Sequence, residues 1–281
     1  MAEPSSFTAA CVQMRSGLDR ARNVEDACAL IADAAQKGAG FIATPEMTNV
    51  VDRKASRLFE NLPEEKDLTE IAAFSDAAKQ HGVWLLIGSM AVKIEDRRAA
   101  NRSFLFAPDG SVAARYDKIH MFDVDLPNGE SWKESKVYRP GDKAVLARTP
   151  LAQVGLTICY DVRFPHLYRE LSRNGAEVLC VPAAFTRQTG MAHWKTLLGA
   201  RAIENGAFVV APAQGGTHED GRETYGHSLI IGPWGEILAE ADGDEPGVVL
   251  AEIDPAKAHK ARQRIPNLGL EQSFELSILS T

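Results

Sequence analysis

The chain repeats one succession of elements, and this succession limits the folds that are open to it. Apolar runs of strand length alternate with amphipathic helical patterns, and each half of the chain includes a pair of short strands joined by a turn. Strands that alternate with helices favour parallel pairing, and the hairpins add antiparallel strands. We therefore predict an α/β protein with mixed sheets covered by helices, organised as one domain over residues 1–281.

The predicted elements can be placed by their periodicity and their turn residues. Strands are expected at residues 7–14, 40–44, 83–90, 101–106, 111–116, 144–148, 154–158, 176–182, 207–212, 226–231, 236–241 and 247–253. Helices are expected at residues 23–37, 68–81, 166–173, 192–205 and 255–264. Asn23 is the expected N-cap of the first helix. Residues 51–67 are expected to form a surface loop or a mobile helix, and residues 117–141 a long irregular loop.

A cysteine stands where a predicted strand turns into a predicted helix. Residues 154–158 form an apolar run, Cys159 follows it, and helical spacing resumes after Pro165. Ligands of open α/β sheets bind at the carboxyl ends of strands, which is where this arrangement places the thiol. The alternative is that Cys159 is a small buried apolar residue, as most free cysteines are.

Composition excludes several classes of function. The net charge is −7 and no basic cluster is present, so we expect neither nucleic acid nor a membrane as a partner. We find no apolar stretch long enough to span a bilayer and no secretion signal. None of the four cysteines has CxxC spacing, which argues against a zinc site or a disulfide framework and favours the cytoplasm.

Other residues that could carry chemistry also follow strands. Glu46 comes after a buried strand, where we expect desolvation to raise its pKa and make it a general base, although an exposed loop glutamate is an equal alternative. Lys118 could stabilise an oxyanion or could be a solvated surface lysine. His120 could act as a base for Cys159, and we rank it below Glu46. Glu134 is one of many charges in its loop.

Three segments in order resemble the signature blocks of the nitrilase superfamily of carbon–nitrogen hydrolases. They are residues 41–46, ending in Thr-Pro-Glu; residues 115–120, Arg-Tyr-Asp-Lys-Ile-His; and residues 158–165, Ile-Cys-Tyr-Asp-Val-Arg-Phe-Pro. The resemblance covers a core of about residues 7–266. It implies an αββα sandwich, with helices outside two mixed sheets, that pairs through its outer helices into a homodimer or a higher homo-oligomer.

The resemblance also implies roles for individual residues. Cys159 would be the nucleophile, and Glu46 the general base that takes the thiol proton and later activates water. Lys118 and the backbone N–H of Tyr160 would hold the oxyanion, and Glu134 would position Lys118 and the substrate amine. A nearby lysine should lower the pKa of the thiol. The implied reaction needs an amide and water, forms a thioester, and uses no cofactor or metal.

Downstream segments resemble the amidase branch that includes omega-amidase and deaminated glutathione amidase. They include residues 182–190, 201–204, 225–228 and 233–235, and residues 213–218 favour the deaminated glutathione subgroup. The branch binds a substrate carboxylate through the arginine four positions after the nucleophile, here Arg163, in a pocket with Phe185 and Thr189. The alternative for Arg163 is a structural ion pair with Asp161 or Glu170.

Three competing functions remain open from the sequence. A nitrilase or an N-carbamoyl amino acid amidohydrolase would use the same Glu-Lys-Cys set. A non-catalytic binding or assembly protein could keep the fold, but the intact set of Glu46, Lys118 and Cys159 argues against it. A metal hydrolase is disfavoured because the chain has no HExxH motif or other cluster of metal ligands.

Overall fold

The computed structural model describes residues 6–60, 62–127 and 129–279. Its helices are α1 (Arg20–Gln36), α2 (Ala55–Glu60), α3 (Thr69–His81), α4 (Pro165–Arg173), α5 (Arg187–Asn205) and α6 (Pro255–Arg264). Short 3-10 turns lie at Glu65–Asp67, Glu134–Lys136 and Cys159–Arg163.

The strands follow the predicted alternation. They are β1 (Phe7–Gln13), β2 (Phe41–Ala43), β3 (Trp84–Glu95), β4 (Arg98–Phe106), β5 (Val112–Asp117), β6 (Asp123–Asp125), β7 (Ser131–Lys133), β8 (Val145–Arg148), β9 (Gln153–Leu156), β10 (Val178–Cys180), β11 (Phe208–Ala211), β12 (Gly215–Thr217), β13 (Glu223–Tyr225), β14 (Leu229–Ile231), β15 (Ile237–Glu240) and β16 (Gly247–Ile253).

Two six-stranded mixed sheets form the centre of the fold. The first sheet has the order β16-β1-β2-β3-β4-β5, and the second has the order β15-β14-β11-β10-β9-β8. The middle strands of each sheet, β1-β2-β3 and β9-β10-β11, are parallel, and the outer pairings are antiparallel. The predicted mixed sheets are therefore confirmed.

The two sheets face each other and carry helices on their outer surfaces. In β1, Ala9 and Cys11 join the core shared with the second sheet, whereas Ala10 and Val12 join the cluster beneath α1 and α3. This alternation follows from the period-2 geometry of a strand that is buried on both sides. The Cys11 thiol even reaches Leu229 O of the second sheet at 3.4 Å. Helices α4 and α5 cover the outside of the second sheet, so the predicted αββα sandwich is confirmed.

The start of α1 differs from the prediction. The helix begins at Arg20, and the Asp19 carboxylate caps it by accepting the N–H groups of Ala21 and Arg22. Asn23 is instead a buried residue inside the helix, where its side chain bonds the backbone of Gly17 and Asn49. The N-cap prediction for Asn23 is wrong because an aspartate four residues earlier satisfies the free amides first.

Two segments near the site contain more regular structure than a loop. Residues 51–67 include α2, whose Leu58 packs with Val50 and Val51, so the helix alternative was the correct one. Residues 117–141 contain the β6–β7 hairpin and a 3-10 turn. Helix α5 also starts five residues earlier than predicted. Within the described ranges, no helix is long and apolar enough to cross a bilayer.

Candidate active site

The three residues of the predicted catalytic set follow strands that end at the same edge of the sandwich. Glu46 follows β2, Lys118 follows β5, and Cys159 follows β9. All three are at least nine-tenths buried and line one cavity of about 290 Å³. Strands β2 and β5 run in the same direction in the first sheet, and β9 lies in the second sheet, so the packing of one sheet on the other brings these distant residues together.

Lys118 lies between two carboxylates. Its Nζ is 2.9 Å from Glu46 Oε1 and 2.8 Å from Glu134 Oε2. The amide of Asn101 donates to the same two residues, at 2.9 Å to Glu46 and 3.2 Å to Glu134. The backbone N–H of Phe122 holds the second glutamate at 2.6 Å. These bonds fix the ammonium at one point of the cavity wall.

The other oxygen of Glu46 faces the second sheet. Glu46 Oε2 accepts the backbone N–H of Ala184 at 2.8 Å, and the carboxylate lies beside the Cys159 thiol, whose pKa its charge raises. One carboxylate therefore contacts both the cation and the thiol. A base in contact with a nucleophile is the arrangement that thiol activation requires.

The backbone around Cys159 has an unusual conformation. Cys159 has φ of 48°, in the left-handed region, and its N–H donates to Pro182 O at 2.9 Å. The buried Asp161 carboxylate closes the turn by accepting the N–H of Ile158 and the hydroxyl of Tyr116. A strained non-glycine residue held by its surroundings is typical of functional sites.

His120 is not the partner of Cys159. Its Nδ1 lies 2.7 Å from Asp161 Oδ1, and its ring stacks on Phe164 with centroids 3.6 Å apart. The imidazole therefore braces the turn after the cysteine, while Glu46 is the group in contact with the thiol. The ranking of Glu46 above His120 agrees with this geometry.

Comparison with known proteins identifies the family of the chain. The sequence model described as "Carbon-nitrogen hydrolase" matches residues 8–263, which is most of the chain. The chain belongs to the carbon–nitrogen hydrolase family.

Its relatives lie in the amidase branch. A deaminated glutathione amidase of Synechocystis sp. is 42% identical over 271 residues, which cover 93% of this chain and 97% of the relative. The omega-amidase NIT2 of Homo sapiens is 35% identical over 262 residues, which cover 93% and 94%. The predicted superfamily, branch and enzyme class are confirmed.

A solved structure agrees on the fold. The crystal structure of the C. elegans NitFhit protein matches with a TM-score of 0.89 and 32% identity, covering 97% of this chain and 66% of that chain. This carbon–nitrogen hydrolase thus spans just under two thirds of NitFhit.

The charges of the hydrolase site depend on one another. Burial alone would raise the pKa of Glu46, but Lys118 outweighs it, so the pKa of Glu46 is lowered from its usual value. Burial would lower the pKa of Lys118, but Glu134 and Glu46 outweigh it, so the pKa of Lys118 is raised well above its usual value. The predicted rise for Glu46 is therefore wrong, because the paired cation was not visible in the sequence.

The pKa of the Cys159 thiol shifts in the direction opposite to that of Glu46. Burial, and then the negative charge of Glu46, raise the pKa of Cys159 well above its usual value, and Lys118 offsets only part of this. The expectation of a lowered thiol pKa is therefore wrong. The resting pair in this carbon–nitrogen hydrolase is a neutral thiol beside an ionised carboxylate, which is the proton distribution that a general base needs.

The predicted substrate residues divide into two groups. Tyr160, Phe185 and Thr189 line the cavity. Arg163 lies beside it, with its guanidinium carbon 5.3 Å from the Phe185 ring centroid and Nη2 3.3 Å from His193 Nδ1.

Neither ion pair suggested as the alternative for Arg163 is present among the described residues. The Asp161 carboxylate accepts from backbone, Tyr116 and His120, and the Glu170 carboxylate accepts from Asn174. Arg163 therefore has no carboxylate partner in the described structure.

Sequence reasoning missed three groups at this site: Asn101, the Ala184 N–H and Arg222. Asn101 could have been noticed as the one amide side chain of the largely buried strand β4, because a buried amide needs partners. The Ala184 N–H gives no sequence signal. Arg222 lines the cavity and donates to Ala184 O at 2.7 Å, but its hairpin is distant in sequence from the other blocks.

Proposed function

We propose that the protein hydrolyses the C–N bond of small amides that carry a carboxylate, through a thioester on Cys159. The observation that carries the proposal is the buried contact of Glu46 with both Cys159 and Lys118 at the cavity wall. The relatives named deaminated glutathione amidase and omega-amidase support the substrate class, namely ω-amides of 2-oxo acids or deaminated glutathione. Residues 7–266 would act as one catalytic domain.

In the first step, sulfur attacks the amide carbonyl while Glu46 accepts the thiol proton. Lys118 and the backbone N–H of Tyr160 stabilise the oxyanion of the tetrahedral intermediate. When the intermediate collapses, Glu46 returns its proton to the departing nitrogen and the C–N bond breaks. Ammonia or an amine leaves, and the acyl group remains on Cys159 as a thioester.

In the second step, water replaces the amine. Glu46 takes a proton from the water as its oxygen attacks the thioester, and the same donors hold the second oxyanion. Collapse breaks the C–S bond, releases the acid and returns the proton to sulfur. Glu134 keeps Lys118 in place and accepts an N–H of the leaving amine, and the whole cycle consumes one water.

We assign the acyl-side carboxylate to Arg163, with Phe185 and Thr189 forming the wall in front of it. A guanidinium is suited to carboxylates because it can donate two parallel hydrogen bonds. Support comes from the 5.3 Å separation of Arg163 from the Phe185 ring and from the absence of an ion-pair partner for Arg163 among described residues. Rotation away from His193 would bring the guanidinium toward the cavity.

The substrate class can be tested by ammonia release from three panels. These are ω-amides of 2-oxo acids, nitriles of matched acyl groups, and N-carbamoyl amino acids. We expect turnover of the ω-amides and its loss in Cys159→Ala. A nitrilase or an N-carbamoyl amino acid amidohydrolase would use the same Glu-Lys-Cys set, so only the substrates distinguish these enzymes. Turnover of nitriles or carbamoyl amines alone would contradict the amidase proposal.

We also propose a homodimer or higher homo-oligomer in the cytoplasm, where a thiol nucleophile stays reduced. Ile203 of α5 lies against the turn at Gly235, and Ile203 and Trp234 are both more than half exposed, so they form part of one apolar surface. Phe274 and Leu276 add exposed apolar side chains. Such patches are typical of interfaces. Light scattering should give a multiple of 30.5 kDa, and a molar mass of one chain would contradict this proposal.

A further inference from the structure

Most of the charged side chains on the cavity wall have a partner of opposite charge. Seven charged side chains line it, and five of them are paired. Lys118 lies between Glu46 and Glu134. The remaining pairs are Asp52 with Arg57 and Lys133 with Asp125. The two that remain are both arginines, Arg53 and Arg222, and neither forms an ion pair with a carboxylate of the described residues.

The two arginines share one aromatic ring. The guanidinium carbon of Arg53 is 4.6 Å from the Trp132 ring centroid, and that of Arg222 is 4.7 Å from it. Both cations therefore contact the same indole ring. Two positive charges on one ring, neither with a carboxylate partner in the described structure, are stabilised when an anion binds beside them.

The backbone holds this pair in place. Asp220 accepts the backbone N–H of Arg53 at 2.8 Å through Oδ2 and that of Arg222 at 2.9 Å through Oδ1. Its carboxylate thus joins the two segments through their main chains. The guanidinium of Arg222 donates to Ala184 O, but its buried Nε has no hydrogen-bond partner in the described structure. An acceptor bound beside Arg222 would satisfy this donor.

The position of Trp132 indicates which half of the substrate would reach the arginines. Trp132 is two residues before Glu134, the carboxylate that faces Lys118 on this wall. An amide N–H needs an acceptor, and Glu134 provides one beside the oxyanion position. The chain beyond the amide nitrogen would therefore run along the Trp132 wall, whereas the acyl half lies toward Phe185.

We propose that Arg53 and Arg222 bind a carboxylate on the amine half of the substrate. This inference rests on the proposed function and extends it, since it selects amides whose amine is an amino acid or a short peptide with a free carboxyl end. Arg163 and the Arg53–Arg222 pair would then bind opposite ends of one doubly anionic substrate. The competing explanation is that the arginines only hold Trp132 in position.

Two matched substrates separate these explanations. Both are amides of 2-oxoglutarate through its 5-carboxyl group, one made with glycine and the other with glycinamide. The wild-type protein should prefer the glycine amide. Arg53→Gln and Arg222→Gln should each lower the ratio of kcat/KM for the glycine amide over the glycinamide amide by about tenfold, mainly through KM.

Controls keep the result specific. Lys54→Gln removes an exposed positive charge next to Arg53 and should leave the ratio at its wild-type value. Arg222→Lys keeps the charge but loses the planar donors, so it should recover only part of the preference. Thermal denaturation of the Arg222 variants reports whether the loss of the hydrogen bond to Ala184 O has disturbed the fold. Arg53 is exposed, so Arg53→Gln tests the inference even if Arg222→Gln is unstable.

Binding to Cys159→Ala gives the same comparison without turnover. Calorimetry should show that Arg53→Gln weakens the glycine amide about tenfold and the glycinamide amide much less. An unchanged ratio and unchanged binding in folded Arg53→Gln and Arg222→Gln would overturn the inference and leave the arginines structural. Failure of the wild-type protein to hydrolyse either amide would instead contradict the proposed function, while the binding comparison would still decide the carboxylate site.

Discussion

The backbone N–H of Ala184 donates to Glu46 Oε2 at 2.8 Å, and this bond links the active edges of the two sheets. Glu46 follows β2 of the first sheet, and Ala184 follows β10 of the second. The base is therefore oriented toward the thiol by closure of the sandwich. It follows that residues which set the distance between the sheets should affect catalysis as well as stability.

Gly88 of β3 packs closely against both edges. A Cβ there would overlap Thr44 O and Pro182 Cβ, which lie before Glu46 and near the Cys159 turn. We expect Gly88→Ala to destabilise the protein by about 1–3 kcal/mol, because backbone must move. Gly199→Ala on α5 meets no atom within 4 Å and should be neutral or stabilising. Denaturant unfolding of both variants tests this, and equal stability of Gly88→Ala and wild type would refute the steric argument.

Lys118 is expected to stabilise the fold as well as the oxyanion. Lys118→Met leaves Glu46 and Glu134 as buried carboxylates without their cation, which costs about 3–5 kcal/mol. The surface pair of Lys37 with Asp33 has a similar distance of 2.7 Å, yet Lys37→Met should cost less than about 1 kcal/mol because water screens it. The free energy of unfolding at pH 7 measures both. Similar losses in the two variants would show that burial does not amplify this ion pair.

The thiol of Cys159 should become more acidic when Glu46 is neutralised. The negative charge of Glu46 raises the pKa of the thiol while Lys118 lowers it, so Glu46→Gln removes the opposing charge and the pKa should fall. The pH at which iodoacetamide alkylates Cys159 half-maximally should shift downward, although amide hydrolysis falls by at least about 10²-fold. Mass spectrometry in a Cys28→Ala background locates the modification. An upward shift would mean that Glu46 does not face the thiol.

Arg163 should discriminate substrates by the acyl half alone. Arg163→Ala should raise KM about tenfold for ω-amides with an acyl-side carboxylate and much less for neutral amides of the same length. The glycine-over-glycinamide ratio should not change, because we assign that preference to Arg53 and Arg222. Steady-state kinetics with the charged ω-amide, its neutral counterpart, the glycine amide and the glycinamide amide measures this. Equal increases for charged and neutral amides would make Arg163 a structural support for His193 and Phe185.

The sequence predicted the fold class and singled out Glu46, Lys118 and Cys159, because each of them follows a strand in a short characteristic block, whereas Glu134 was assigned only through the family resemblance. Glu46, Lys118, Glu134 and Cys159 do meet at one cavity. The local rules failed where two residues could serve equally: both Asp19 and Asn23 are good N-caps, and Asp19 accepts the free amides while Asn23 bonds Asn49 from inside the helix.

The directions of the pKa shifts could not be predicted from single segments. Burial of Glu46 was one of two alternatives that the sequence left open, and the sign of its pKa shift depends on Lys118, whose distance is set by the three-dimensional fold. Arg222 was missed for a similar reason, since it lies in the turn of the β12–β13 hairpin, which is distant in sequence from the other site residues. The interaction between two charges depends on their distance in the folded protein, whereas the periods of strands and helices can be recognised in the sequence itself.

The most direct test of the central claim is mass spectrometry of the protein quenched during turnover of a 2-oxo acid ω-amide. We predict a mass increase equal to the acyl group on the peptide that contains Cys159, and a loss of turnover of at least about 10³-fold in Cys159→Ala. Cys28→Ala, which removes a thiol of α1, should retain both the adduct and the activity. Undiminished turnover by Cys159→Ala would contradict the thioester mechanism.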